Sequence, residues 1–292
     1  MDNRDDFSLI REIRDRIDYV EADVTDVQAL EKIVADFRVT HIAHLAALMP
    51  EPAEANPRLA VKVGVDGTVN VLEAARAANI RRVVFTSSKA VYGELLGEYG
   101  PPTYRPVDES YPKDPADLYG TIKICCEALG GYYRKKYGIE FIALRYSSIY
   151  GPGKETRHGA LSFYGQLIEK AMTGESWAIN AGADQVNDAV YVGDVARSVL
   201  CALKAEPSDT WAFNVGSGRR STPREFLNAL DKICQNHQIE MGSGESQLGR
   251  SKQSFCIFDI SAARKYLGYE PAFDVEKGVR DYVETIRRLR RQ

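Results

Sequence analysis

A tyrosine and a lysine stand four residues apart in the run Tyr119-Gly120-Thr121-Ile122-Lys123. On an α-helix that spacing puts both side chains on one face, one above the other. A phenol ionises near pH ~10 in isolation, and a neighbouring ammonium favours the phenolate, so the pair can exchange a proton near neutral pH. Lys123 is therefore expected to lower the pKa of Tyr119. Ser88 leaves the end of an apolar run, Arg82-Val83-Val84-Phe85-Thr86-Ser87, where its hydroxyl can hydrogen-bond the same substrate oxygen. Together the three groups can hold a hydroxylated small molecule and move a proton on and off it.

The elements that must position these residues alternate between helical and extended patterns, as a parallel sheet with crossover helices requires. A helix over about residues 7–17 leads to a strand near residues 18–21, and Asp26 can cap a helix running to about residue 37. A strand over residues 41–45 follows, then a loop rich in proline and alanine over 49–57, and a helix ending near residue 78. The next strand ends at Ser88, the Tyr119 helix runs to about residue 137, and residues 141–145 form another strand. Beyond Tyr150 the regularity loosens. Ser221-Thr222-Pro223-Arg224-Glu225 reads as a helix start, with a hydroxyl cap and a proline in the first turn.

The 292 residues, 44% hydrophobic and 27% charged, suffice for one large core or two lobes. A formal charge of -3 offers no general attraction to nucleic acid or to an anionic membrane. No apolar run reaches the ~18 residues that span a bilayer, and the opening Met1-Asp2-Asn3-Arg4-Asp5-Asp6 is too polar for a signal peptide, so a cytoplasmic protein is expected. The five cysteines, Cys125, Cys126, Cys201, Cys234 and Cys256, have neither metal-ligand spacing nor an even count, and they read as reduced thiols that mostly pack. His44 reads as a packed histidine at a strand end, and no metal site is expected. The C-terminal run Arg287-Arg288-Leu289-Arg290-Arg291 ends a helical pattern, where cations suit the negative end of the helix dipole.

Several segments occur in a telling order. They are Asp23-Val24-Thr25-Asp26, His44-Leu45-Ala46-Ala47, Gly67-Thr68-Val69-Asn70, the run from Ser88 to Gly93, the Tyr119 to Lys123 run, and Leu144-Arg145-Tyr146 with Tyr150-Gly151-Pro152-Gly153. Tyr191-Val192-Gly193-Asp194, Phe213-Asn214-Val215-Gly216 and Leu267-Gly268-Tyr269 complete the series. In that order they resemble the extended short-chain dehydrogenase/reductase superfamily, which includes NAD-dependent epimerases and dehydratases. The resemblance implies an α/β fold, a Rossmann-type doubly wound parallel sheet with a smaller C-terminal substrate lobe. Residues 1–147, joined by about 188–216, would form the dinucleotide-binding domain, and 148–187 with 217–292 the substrate lobe. It implies NAD or NADP as cofactor and hydride transfer as the chemistry, with Ser88, Tyr119 and Lys123 catalytic. Lys123 would also bond the nicotinamide ribose. Asp23 and Val24 would flank the adenine, Ala46 and Ala47 would let the backbone pass close to ribose and phosphates, and Thr86 would line the cofactor. Asp2 falls about where the ribose-reading residue ends the second strand of the family's fold. The helices over about 57–78 and 116–137 resemble the pair that forms a dimer interface, so a homodimer is expected.

Several positions depart from the family's pattern. Its opening strand, glycine-rich turn, helix and second strand, a piece of about 30 residues, are not found before Asp23, and the first glycine is Gly64. The chain is therefore expected to hold NAD(H) weakly and to expose a sheet edge. Asn187, in Gln185-Val186-Asn187-Asp188, stands where nucleotide-sugar enzymes of the family carry a diphosphate-gripping arginine, and an amide lacks that bidentate charged fork. Ser148 and Gly64 each stand where the family has an asparagine, and Lys89-Ala90 replaces the acidic pair of the 4,6-dehydratases, so dehydration is not expected. Substrate contacts are expected from Ser88, Ser148, Asn187 and Arg157. Three readings remain open. One is an NAD(P)-dependent oxidoreductase or epimerase acting on a secondary alcohol of a small sugar-like or hydroxy-acid substrate. Another is a nucleotide-sugar 4-epimerase, which needs a further cation such as Arg157, Arg219 or Arg250. The last is a non-catalytic member that has lost its cofactor loop.

Overall fold

Asp26 begins the regular structure by accepting the Ala29 N–H, so the first α-helix, α1, runs over Val27–Asp36. The strand β1 (His41–His44) follows. The computed structural model describes residues 7–153, 162–234, 237–246 and 255–291. The proline-rich stretch expected as a loop instead contains a short helix, α2 (Pro50–Ala55), because Pro50 suits the first helical turn and Ala53 finds a fully buried site. Residues 57–77 are continuously helical, as α3 (Pro57–Val61), a π-helical turn (Lys62–Asp66) and α4 (Gly67–Ala77). The π turn has a local cause. A Cβ on Gly64 would lie 2.4 Å from Ile122 Cγ2, and the Gly64 carbonyl accepts from both Thr68 Oγ1 (2.6 Å) and Cys126 Sγ (3.2 Å).

The strand β2 (Arg82–Ser88) leads through a 3-10 turn (Lys89–Tyr92) to the long helix α5 (Leu118–Tyr137) and then β3 (Glu140–Tyr146). After β4 (Ser148–Tyr150) come α6 (Phe163–Thr173), β5 (Trp177–Ile179), β6 (Ala189–Tyr191), α7 (Val192–Lys204) and β7 (Ala212–Val215). The chain finishes with α8 (Pro223–Ile233), β8 (Ile239–Met241), α9 (Ser261–Leu267) and α10 (Val275–Arg290). Thr222 sits at the N-cap of α8 without the expected side-chain cap bond, although Pro223 occupies the first turn as expected.

The main sheet has the order β1-β2-β3-β7, all parallel, with Phe85 paired between His44 and Ala143. Alternation sends its strand residues to two cores. Val83, Phe85, Phe141 and Ala143 pack under α4 and α5, while Val84, Ile142, Leu144 and Val215 pack with residues of α7 and α9. A third core, built on Tyr150, Tyr164, Phe226 and Tyr282, belongs to the C-terminal lobe, where β4 pairs β6 and β5 pairs β8.

The helix expected near the start forms as a 3-10 helix (Ser8–Arg16), with Leu9 and Ile13 exposed. The strand expected after it is corrected. Residues 18–21 form no strand, since a strand needs a ladder partner and none of the described strands pairs with them. Tyr19 instead meets Phe7 edge-on at 5.1 Å, and Arg14 lies over both rings. Among the described residues β1 is therefore one edge of the sheet, with β7 the other. Asp2 lies outside the described residues. No described helix is long and apolar enough to cross a membrane.

Candidate active site

The carboxyl ends of β1 and β2 lie side by side, tied by the Thr86 hydroxyl, which donates to the His44 carbonyl (3.2 Å). Ser88 closes β2 and caps the 3-10 turn by accepting the Ala90 N–H (3.1 Å). That turn is pressed against the start of α5. A Cβ on Gly120 would lie 2.4 Å from the Ala90 carbonyl oxygen, so only glycine lets the helix come this close. Asp117 caps the helix by accepting the Gly120 N–H at 2.7 Å. The result brings the Tyr119 phenol near the side chain of Ser88.

Below them on the same face, Lys123 is buried and donates to the Thr86 carbonyl (2.6 Å), with its ammonium 4.6 Å from the Phe85 ring and 5.4 Å from the Tyr119 ring. Burial pushes the ammonium down to about 8, partly offset by Cys126 and Glu127. Burial also pushes the Tyr119 phenol up to about 12, against a lowering effect of the nearby Ser88 hydroxyl. The expected depression of Tyr119 by Lys123 is thus corrected: the ammonium is spent on a carbonyl and a ring, and desolvation of the phenol dominates. At neutral pH Tyr119 is a protonated donor.

The layer beneath is a charged network. Arg145 on β3 forms a bidentate pair with Glu127 on α5 (2.9 and 2.6 Å), both nearly inaccessible, and Ser87 donates to the same carboxylate at 2.6 Å. Arg145 also donates to the Tyr92 hydroxyl (2.9 Å), which donates to Asn214 Oδ1 on β7 (2.6 Å). Glu127 was not singled out from the sequence, and Arg145 stood there only within the Leu144-Arg145-Tyr146 segment, without a role. Two signals were available: Glu127 extends the spacing 119, 123, 127 by one more turn, and Arg145 is a charge inside the apolar strand β3. Asp188 is a second buried anchor, accepting from Ser217 N (2.7 Å), Ser217 Oγ (2.7 Å), Gly218 N (3.2 Å) and Phe258 N (3.1 Å).

The other expected cofactor residues lie along the same end of the sheet. Asp23 is exposed, accepts the Thr25 N–H at 2.8 Å and is held below the usual carboxylate range by that bond. Val24 packs against Gly67, and its carbonyl accepts from Asn70 Nδ2 (3.1 Å). Ala46 is exposed and Ala47 half-buried just past β1. At the Lys123, Tyr119 and Thr86 end an ammonium, a phenol and strand-end backbone converge. Among the described residues, no glycine-rich strand-to-helix turn faces this strip to hold a pyrophosphate. Ser148 and Asn187 are brought together in the seam under the C-terminal lobe, with Ser148 Oγ donating to Asn187 Oδ1 at 3.3 Å. Arg157 and Arg250 lie outside the described residues, and Arg219 is exposed. No group of three metal-ligating side chains is found among the described residues.

The model of the NAD dependent epimerase/dehydratase family matches residues 2–216. The chain belongs to that family. It is an enzyme of NAD(P)-linked chemistry, as the Ser88, Tyr119 and Lys123 runs imply. A putative UDP-glucose 4-epimerase of Methanocaldococcus jannaschii is 33% identical over 276 residues, covering 93% of this chain and 84% of the relative. The mitochondrial L-threonine 3-dehydrogenase of Bos taurus is 27% identical over 260 residues, covering 88% of this chain and 67% of that one. Among solved structures, the UDP-glucose 4-epimerase of Thermus thermophilus in complex with NAD superposes with a TM-score of 0.77 at 26% identity, covering 94% of this chain and 87% of that chain.

His44 bears on stability. It is buried beside Phe85, its Nε2 meets Thr68 Oγ1 at 3.1 Å, and burial, with Lys123 nearby, lowers its pKa from 6.5 to about 4. Between those values the unfolded chain takes up a proton that the folded chain refuses, so stability is full above the upper value and falls as pH drops toward the lower. At about 1.36 kcal/mol per unit, the loss is of order 3 kcal/mol. Urea titrations across this range should show a shallower decline for His44→Asn than for the parent, once each is referenced to its own stability at pH 7; parallel declines would remove His44 as the cause.

Proposed function

We propose that this enzyme uses NAD or NADP to transfer hydride at a secondary alcohol or ketone of a sugar-like or hydroxy-acid substrate. The convergence of Ser88, Tyr119 and Lys123 at the carboxyl end of β2 carries the reading. Ser88 Oγ holds the reacting oxygen. Tyr119, protonated at neutral pH, gives its hydrogen to the oxygen of a ketone and takes it back from an alcohol. Lys123 fixes the Thr86 end of the strand and presents a cation to the cofactor ribose. The nicotinamide, when bound, supplies or accepts the hydride. In this reading residues 1–147 with 188–216 serve the dinucleotide, and 148–187 with 217–292 cover the substrate.

A second reading, a nucleotide-sugar 4-epimerase, is favoured by the likeness to the M. jannaschii relative over 93% of this chain. It differs in outcome: an epimerase returns the hydride to the other face of its keto intermediate, whereas a dehydrogenase accumulates NADH. Incubation with NAD+ and panels of UDP-sugars, free sugars, sugar acids and hydroxy acids, followed at 340 nm and by proton NMR, separates them. Tyr119→Phe should lower the rate on the active substrate by roughly 10²-fold or more with the fold intact, because it removes only the proton carrier. Undiminished turnover in that variant removes Tyr119 from the mechanism.

The same reading includes a homodimer. Leu59 and Val61 on α3 are each 42% exposed, and Tyr132 and Tyr137 on α5 are 50% and 43% exposed, which leaves apolar surface on the helix pair expected to pair across a two-fold axis. Light scattering at micromolar concentration should give twice the chain mass; a monomer mass would sink this part.

A further inference from the structure

The face of the main sheet turned away from α4 and α5 carries α7 and α9, whose inner residues share a core with Val84, Ile142, Leu144 and Val215. Beside these two helices lies a cavity of about 310 Å³, lined by Arg197, Leu200, Cys201, Lys204, Ala205 and Leu267. Small-molecule sites begin at about 300 Å³, so the space holds a short ligand. The site built on Ser88 and α5 is on the other side of the sheet. Positions 197, 200, 201 and 204 form one stripe along α7. Within it Leu200 is 55% exposed, although it is a large apolar side chain. Arg197 and Lys204 are exposed, and among the described residues neither side chain has an ion-pair or hydrogen-bond partner. A lysine in the last turn suits the helix dipole. The end carbonyls of Ala202 and Leu203, however, already accept from Arg82, and the dipole gives no reason for Arg197 in mid-helix.

The lining also selects among occupants. It holds no aromatic ring on which a base could stack and no hydroxyl or amide to meet the hydroxyls of a sugar. A second copy of α7 packed antiparallel on this stripe would set Arg197 of each copy beside Lys204 of the other, and like charges so placed repel. Along the helix the groove offers a cation, an apolar floor and a second cation, the two charged residues standing about 10 Å apart along the axis. The complement of that order is an anion, a hydrocarbon and an anion.

We propose that the groove of α7 and α9 is a second ligand site that takes a medium-length aliphatic dicarboxylate. The hydrocarbon lies on Leu200, Cys201, Ala205 and Leu267, and the carboxylates meet Arg197 and Lys204. The assignment uses none of the residues of the hydride-transfer reading and stands or falls apart from it.

The test titrates decanedioate into the full chain and follows the methyl signals of Leu200, Ala205 and Leu267 by NMR, with decanoate and a decanediol hydroxylated at both ends as comparisons. Decanedioate should shift those signals to saturation and bind about fivefold or more tightly than decanoate, with the diol weaker than either. Arg197→Gln and Lys204→Gln should each bring decanedioate down to the level of decanoate, while Lys277→Gln on α10 should leave it unchanged. If one of the two glutamine variants does not fold, the other carries the same comparison. No saturable shift in the parent, no preference for the diacid over the monoacid or the diol, or undiminished binding in either glutamine variant overturns the proposal. Shifts of equal size at Leu9, Leu45 and Leu96, which are also exposed, overturn it too, because they mark a general effect of an amphiphile on apolar surface.

Discussion

Two charges buried between a strand and a helix hold this site. Arg145 and Glu127 are almost fully removed from water and joined by two hydrogen bonds, with Ser87 on the same carboxylate. Such a pair need not stabilise the fold relative to an apolar packing of the same shape, because desolvation offsets its attraction. Its effect lies in what it forbids. Sliding or lifting α5 leaves a buried charge unpaired, a loss of about 3–5 kcal/mol. The helix is fixed in register against β2 and β3, and Lys123 and Tyr119 share its face one and two turns away. Through Tyr92 and Asn214 the same network reaches β7, so three parallel strands and one helix are locked by connected polar contacts.

Close approach completes what the charges begin. Gly120 lets the helix start touch the turn after Ser88, and Gly64 lets Ile122 push into the neighbouring helix, which responds with a π turn. The Gly64 carbonyl exposed by that turn is satisfied by Thr68 and Cys126 and not by solvent. Packing, hydrogen bonding and site geometry meet on the inner face of α5.

Much of this was legible in the chain. The spacing of Tyr119 and Lys123, the apolar run into Ser88 and the Asp26 cap each depend on local periodicity or local hydrogen bonding, and each element appears where that logic puts it. The strand at 18–21 failed because pairing is not local: a β-prone segment becomes a strand only beside a partner. The helix at 50–55 was hidden because proline marks loops and helix starts alike. The pKa of Tyr119 went the other way because a four-residue spacing places two side chains on one face without saying where the ammonium points, and it points at the Thr86 carbonyl. Glu127 with Arg145, and Lys89 with Ser148, lie 18 and 59 residues apart in sequence. Such contacts exist only after the sheet has assembled.

The central claim is that the buried pair fixes the catalytic face of α5, and hydrogen–deuterium exchange on Glu127→Gln measures it most directly. The variant keeps the shape of the side chain and removes the charge that Arg145 faces. The account expects peptides covering residues 118–127 to exchange at least about tenfold faster than in the parent, while those from β3 and β7 keep more of their protection. Unchanged exchange over 118–127, or an increase spread evenly over the whole sheet, would contradict it.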